Sequence, residues 1–307
     1  MLLPTLTFNY LTQRFENTLN ESASDLVKLM DKPLSLTFQL TRNCNLKCVY
    51  CFEPPGIKSL KFQTMKEMID KLAGMRRIIF SGGEPMQYPY FWEILEYAQG
   101  KFEKIVLSTN ACLIKRDEAA RLKDLVDYID VTVDGPRYQH NIIRGQYDNV
   151  MRGLMNISLE QIPLSVICVY LPQNKDSIQY IAQTGDLLNA IKVKILTPIP
   201  KGRSIDLFQD FITGKEIDDL AEYLEKEKLR NGWQTRIIIS DWMRIGKGHA
   251  ILVEPDGRMV ASPVWHTDDC IEPFANLSQE TAQEAWVKFD YKENHLNKYL
   301  ERTMVVV

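Results

Sequence analysis

Two hydrophobic periods take turns along this chain. "LSLTFQLT" (34–41) places an apolar side chain at every second position, the mark of a strand with two unlike faces. "FQTMKEMIDKLAG" (62–74) changes to helical spacing and stops on a glycine, and "RRIIF" (76–80) returns to a strand. The exchange repeats through a helix at 90–100, a strand "KIVLST" (104–109), a helix at 115–126 and a strand "YIDVTV" (128–133). A helix near 147–160, strand "PLSVICVYL" (163–171), a helix at 176–189 and strand "KVKILTPI" (192–199) follow. Strands alternating with helices at this spacing predict parallel strands joined by right-handed crossovers. Six such strands are too few for a closed eight-fold barrel, so an open six-stranded barrel or a doubly wound sheet is expected.

Beyond residue 200 the rhythm changes. "EIDDLAEYLEKEKLRNG" (216–232) predicts a charged amphipathic helix with a solvated acidic face, and "TRIIIS" (235–240) a short strand. "HAILVEPDGRMVAS" (249–262) predicts a hairpin turning at Pro255-Asp256-Gly257, and the tail at 281–303 is helical. The expected organisation is an N-terminal segment (1–33), a βα domain (34–205) and a small α+β C-terminal extension (206–307) packed upon it. Neither repeats nor low-complexity linkers interrupt it.

Composition narrows the function. The 307 residues are 45% hydrophobic and 25% charged, enough for a sizeable core. A net charge of −3 leaves no electrostatic footprint for nucleic acid. No apolar run reaches the roughly 20 residues that span a bilayer, and the first residues lack a signal-peptide pattern, so a cytoplasmic, reducing location is expected. In such a compartment clustered cysteines signify metal or redox chemistry more often than disulfides.

Half of the six cysteines are clustered. "TRNCNLKCVYCF" (41–52) holds Cys44, Cys48 and Cys51 in a C-x3-C-x2-C spacing directly after the first strand. Three readings compete. A structural zinc site needs four ligands, and His140, His249, His266 and Cys270 are all distant in sequence. A thioredoxin-like pair leaves the first cysteine unexplained. An iron–sulfur cluster on three thiolates keeps one iron open for a substrate or cofactor.

The spacing, with Tyr50 before the last cysteine and its place after the first strand of a (β/α)6 barrel, resembles the radical S-adenosylmethionine (radical SAM) superfamily. The resemblance implies a 4Fe-4S cluster on Cys44, Cys48 and Cys51 whose open iron binds S-adenosylmethionine, and reductive cleavage to a 5′-deoxyadenosyl radical that abstracts a substrate hydrogen. Other segments fit the same demands. In "FSGGEP" (80–85), Gly82 and Gly83 allow close backbone approach, and the resemblance assigns Glu84 to the cofactor's amino group and places Ser81 with the glycines at the cofactor. Thr109 and Asn110, in "STN" (108–110), correspond to polar groups near its ribose or methionine part. "VDGP" (133–136) and "IIRG" (142–145) resemble a segment that sets Arg144 against the carboxylate and Asp134 near the ribose. Read without the resemblance, these are ordinary turns and a solvated arginine. All fall at the C-terminal ends of successive strands, where α/β enzymes build their sites.

The C-terminal region resembles the SPASM/twitch extension of that superfamily. "LTPIPKGRS" (196–204), "ILVEPDGRMVASPVW" (251–265) and "FANLSQETAQEAW" (274–286) follow its skeleton, but the cysteine expected after "PDGRMV" is missing. One remaining thiol cannot hold an auxiliary cluster, so the extension is expected to be metal-free. Cys270, in "HTDDCIEPF", is then a candidate hydrogen-atom donor, with Cys112 as the next; Cys168, inside an apolar strand, reads as core. Tyr88, Tyr90, Phe91 and Trp92 read as packing at a helix start. The expected function is a redox-neutral biosynthetic modification such as epimerisation, on a peptide or small-molecule substrate, with an electron donor such as flavodoxin or ferredoxin. The alternatives are a tailoring oxidoreductase or lyase acting on a sugar or nucleotide and, in another class, a non-catalytic iron–sulfur or zinc-binding protein.

Overall fold

A computed structural model of the chain describes residues 6–9, 14–17, 32–52, 59–199, 201–204, 214–242, 250–262, 273–289 and 305–307. Strands β1 (Leu6–Asn9) and β2 (Arg14–Asn17) form a small antiparallel pair of their own. Among the described residues every other strand belongs to one eleven-stranded sheet.

The centre of that sheet follows the sequence pattern. β3 (Ser35–Gln39), β4 (Arg77–Ser81), β5 (Lys104–Thr109), β6 (Tyr128–Thr132), β7 (Leu164–Val169) and β8 (Lys192–Leu196) pair in sequence order, all parallel. Between them run α1 (Phe62–Lys71), α2 (Phe91–Ala98), α3 (Arg116–Leu122), α4 (Arg137–Ile143), α5 (Tyr147–Leu159) and α6 (Ile178–Leu187). The period of two sorts the faces. Leu36 and Phe38 of β3, Ile78 and Phe80 of β4, and Val193 and Ile195 of β8 join the core that the helices cover. The intervening Thr37, Gln39, Ser81 and Lys194 face a cavity on the concave side.

The chain does not leave the sheet at residue 205. Helix α7 (Gly214–Asn231) buries Ile217, Leu220 and Leu224, and β9 (Ile237–Ser240) pairs in parallel with β8, giving a seventh consecutive parallel strand. This helix and strand, expected in the appendage, are one more turn of the βα rhythm. The hairpin turns as predicted at Pro255-Asp256-Gly257, joining β10 (Ala250–Val253) to β11 (Arg258–Ser262). It too is part of the sheet, because β10 pairs in parallel with β3 at the other end. β12 (Ala275–Asn276) extends this edge and β13 (Val305–Val306) pairs with β9, so β9 and β10 stay at opposite ends of the parallel run and the barrel remains partial. The short helix α8 (Ala282–Lys288) starts on a capping box between Thr281 and Glu284. Lys71 of α1 donates to the Leu277 carbonyl at 2.6 Å and ties the extension to the first helix. Among the described residues no helix is long and apolar enough to cross a membrane.

Candidate active site

The concave face encloses a cavity of about 370 Å³, with Cys44, Cys48 and Cys51 among the residues that line it. Cys48 is buried, and burial pushes its thiol up to about 11. Burial also raises the Cys44 thiol, although a hydrogen bond from the Leu46 N–H at 3.4 Å favours its thiolate. Two of the three thiols therefore hold their protons until a cation displaces them. Among the described residues no three His, Cys, Asp or Glu side chains are placed to hold a single metal ion.

Backbone contacts fix the cysteine loop. The Gly83 N–H donates to the Thr41 carbonyl at 2.7 Å and the Glu84 N–H to the Asn43 carbonyl at 2.8 Å. A Cβ on Gly82 would lie 2.4 Å from the Thr41 oxygen, and one on Gly83 2.4 Å from the Asn43 oxygen. Both glycines line the cavity, yet the approach that they permit is that of the cysteine loop's own backbone. Ser81 lines the cavity just before them.

Glu84 departs from its expected placement. The residue is fully buried and is not among those lining the cavity. Its carboxylate accepts from the Thr109 hydroxyl at 2.7 Å, the Asn110 N–H at 2.9 Å and the Met86 N–H at 3.2 Å. Burial raises its pKa, and these bonds pull the other way. Three donors leave one of about four lone-pair positions unused. Its observed work is to bind the end of β4 to the end of β5. Thr109 and Asn110 do line the cavity, and the Asn110 amide donates to Asn45 Oδ1 at 2.8 Å, back into the cysteine loop. Ala111 follows with a left-handed φ of +59°, and its carbonyl occupies the space that a Cβ on Gly153 would need.

Tyr50, Asp134 and Arg144 form one buried knot. The Tyr50 hydroxyl donates to Asp134 Oδ2 at 2.7 Å and accepts from Arg144 Nη1. Arg144 also lies 3.4 Å from Asp134 Oδ2, while Asp134 Oδ1 accepts the Val169 N–H at 2.9 Å. Asp134 is thus consumed by protein partners and does not line the cavity; Tyr50 and Arg144 do. The buried Nε of Arg144 has no hydrogen-bond partner.

Arg203 is a site residue that its segment "PKGR" hinted at but did not place. Its Nε donates to the Cys48 carbonyl at 2.9 Å and its N–H to the Cys51 carbonyl at 3.0 Å. Gly202 adopts φ +61°, and a Cβ there would fall 2.8 Å from the Cys51 oxygen. Cys112 is off the cavity lining, half-buried behind Asn110, whose side chain accepts its N–H at 2.9 Å. Burial pushes its thiol up to about 11. Cys168 is a core residue, as read. Cys270 lies outside the described residues.

The radical SAM superfamily model matches residues 38–184, the span from β3 to α6 that builds this site. Residues 38–184 belong to the radical SAM superfamily. Members of this superfamily bind a 4Fe-4S cluster and S-adenosylmethionine. The chain is 35% identical over 175 residues to an Fe-coproporphyrin III synthase of Methanosarcina barkeri, covering 53% of this chain and 43% of that one. It is 32% identical over 192 residues to the mycofactocin maturase MftC of Mycolicibacterium smegmatis, covering 59% and 48%. It therefore spans about half the length of the curated relatives it matches. Among solved structures, Streptococcus suis SuiB bound to precursor peptide SuiA superposes with a TM-score of 0.70 at 13% identity, over 91% of this chain and 73% of that one. Native anSMEcpe with bound AdoMet and a Cp18Cys peptide gives 0.66 at 18% identity, over 87% and 83%. These likenesses establish a partial-barrel radical SAM fold that runs past the matched domain into the C-terminal strands.

Proposed function

We propose that this protein is a radical SAM enzyme that modifies a peptide, with Cys44, Cys48 and Cys51 holding a 4Fe-4S cluster at the cavity. A cluster with S-adenosylmethionine on its open iron supplies a 5′-deoxyadenosyl radical, which removes a hydrogen atom from a substrate. The observation that carries the reading is the joint placement, on one cavity, of three thiols from one loop and an arginine whose buried Nε is unsatisfied. Three thiolates suit iron, and the Arg144 N–H suits a carboxylate. Asn110 and Thr109 offer further polar atoms to the cofactor, while Tyr50 presents its ring and keeps its hydroxyl for Asp134. Glu84 acts here through Asn110 and Thr109, which it holds in place at the cavity. The peptides bound to SuiB and to anSMEcpe favour a peptide, and the likeness to an Fe-coproporphyrin III synthase makes a small-molecule oxidoreductase or lyase the second reading.

A redox-neutral outcome such as epimerisation is inferred from the extension's single cysteine, which cannot hold an auxiliary cluster to take up an electron. Among the described residues the cavity is lined by no cysteine outside the three of the loop. A hydrogen donor would then be Cys270, returning a hydrogen atom from its S–H to the opposite face of the substrate carbon. A flavodoxin- or ferredoxin-like donor would restore the resulting thiyl with one electron, together with a proton.

Anaerobic reconstitution tests the central reading: about four irons per chain are expected. Cys44→Ala, Cys48→Ala and Cys51→Ala should each abolish the cluster, and the reduced protein should cleave S-adenosylmethionine slowly without substrate. Zinc in place of iron, with no cleavage, would return the chain to the binding-protein class. For the finer reading, Cys270→Ala should still cleave the cofactor but place no solvent deuterium in the product.

A further inference from the structure

Arg203 brings a positive charge to the backbone of two of the three clustered cysteines. Its Nε donates to the Cys48 carbonyl at 2.9 Å and its N–H to the Cys51 carbonyl at 3.0 Å. The Cys48 carbonyl also accepts the Cys51 N–H at 3.2 Å, so the guanidinium caps the turn that spaces these two thiols. The segment that presents Arg203 is shaped for the contact. Gly202 takes the left-handed φ of +61° that brings the chain against the Cys51 oxygen, and the fully buried Ser204 Oγ accepts the Lys201 N–H at 3.1 Å behind it. Among the described residues no carboxylate forms an ion pair with Arg203. Arg144 differs, because Asp134 lies 3.4 Å from it.

The other charges around the thiols do not favour an added electron. Beyond burial, Cys48 feels Arg144 and Asp134 with opposite signs, and Cys44 feels the negative charge of Glu84. Three thiolates add more negative charge, and one electron from a flavodoxin- or ferredoxin-like donor adds a further unit with no bond made or broken. A cation fixed on the carbonyl of a ligand residue stabilises the more negative state. Arg203 is half-buried, so water and salt screen it in part. At an intermediate effective dielectric, a unit charge several ångströms away still shifts such an equilibrium by about tenfold.

We propose that Arg203 is a positioning residue that makes the cluster easier to reduce, its guanidinium held on the Cys48 carbonyl as an unmatched positive charge. This deepens the reading of Cys44, Cys48 and Cys51 as cluster ligands, and rests on it.

A redox titration of the reconstituted full chain with dithionite, followed by the electron paramagnetic resonance of the reduced cluster, tests the role apart from turnover. Arg203→Met should make reduction about tenfold harder, a midpoint more negative by about 59 mV for one electron. Arg203→Gln keeps a donor for the Cys48 carbonyl without the charge, and should fall with the methionine variant. Arg203→Lys keeps the charge and should stay nearest the parent. Added salt should narrow the gap between parent and Arg203→Met. An Arg203→Met variant at the parent midpoint overturns the proposal. So does an Arg203→Gln variant that matches the parent, because the hydrogen bond alone would then suffice. Iron content and thermal melting are measured on the same samples. A parent chain that takes up no 4Fe-4S cluster overturns the functional reading as well, whereas clusters of one common midpoint in all four proteins overturn this proposal alone.

Discussion

The Tyr50 hydroxyl donates to Asp134 Oδ2 at 2.7 Å across 84 residues of sequence, and so anchors the loop that carries the three cysteines to the end of β6. Tyr50→Phe removes this bond and the acceptor that the hydroxyl offers Arg144. The loss should be about 1–2 kcal/mol in chemical denaturation of the metal-free protein. Reconstituted Tyr50→Phe should also release iron faster. Unchanged stability and unchanged iron retention would mean that the loop is held elsewhere.

Glu84→Gln tests the inward carboxylate. Three donors converge on it, so an amide NH2 must face at least one of them. We expect a loss of about 1–3 kcal/mol, with cofactor affinity falling only as far as the cluster loop is disturbed. A variant of full stability that binds S-adenosylmethionine much more weakly would show that the carboxylate serves the cofactor directly.

These two positions mark how far the sequence could be read. The cysteine loop, the glycines and the βα rhythm are local patterns, visible because a few adjacent residues determine them. What each glycine keeps clear was not visible, since Thr41 and Asn43 approach from another strand end. Glu84 was assigned to the cofactor from its motif, but a motif does not say which way a side chain turns once Thr109 and Asn110 arrive. Arg203 reaches Cys48 over 155 residues, and such a contact leaves only a short string as its sign. The edges followed the same logic. β9 and the β10–β11 hairpin read correctly as strands, but their partners, β8 and β3, are chosen by long-range packing.

Glu254 links the hairpin to the cysteine loop. Its carboxylate lies 3.1 Å from Arg42 Nη2, with both side chains less than a tenth exposed, and 2.5 Å from Arg258 Nη2. Glu254→Ala strands the Arg42 charge in the interior and should cost about 3–5 kcal/mol. Pairing it with Arg42→Met should recover part of that loss. Additive losses in the double variant would show that the two residues act independently.

His140 sets an acid limit on stability. It is fully buried beneath the Tyr50–Asp134–Arg144 knot, and its Nδ1 accepts the Asp134 N–H at 3.2 Å. Burial, assisted by the nearby Arg144 charge, lowers its pKa from 6.5 to about 4. The folded chain therefore binds the proton less well than the unfolded chain does. The contribution of a neutral His140 is complete above pH 6.5 and disappears as the pH falls toward 4, a loss of about 3 kcal/mol over that window. Asparagine at this position keeps an acceptor for the Asp134 N–H and does not titrate. Denaturation midpoints for the parent and His140→Asn should thus converge as the pH drops from 7 to 4, with the variant showing the flatter profile. Parallel profiles would mean that the imidazole takes up its proton over the same pH range in the folded and the unfolded chain, so that burial leaves its affinity unchanged.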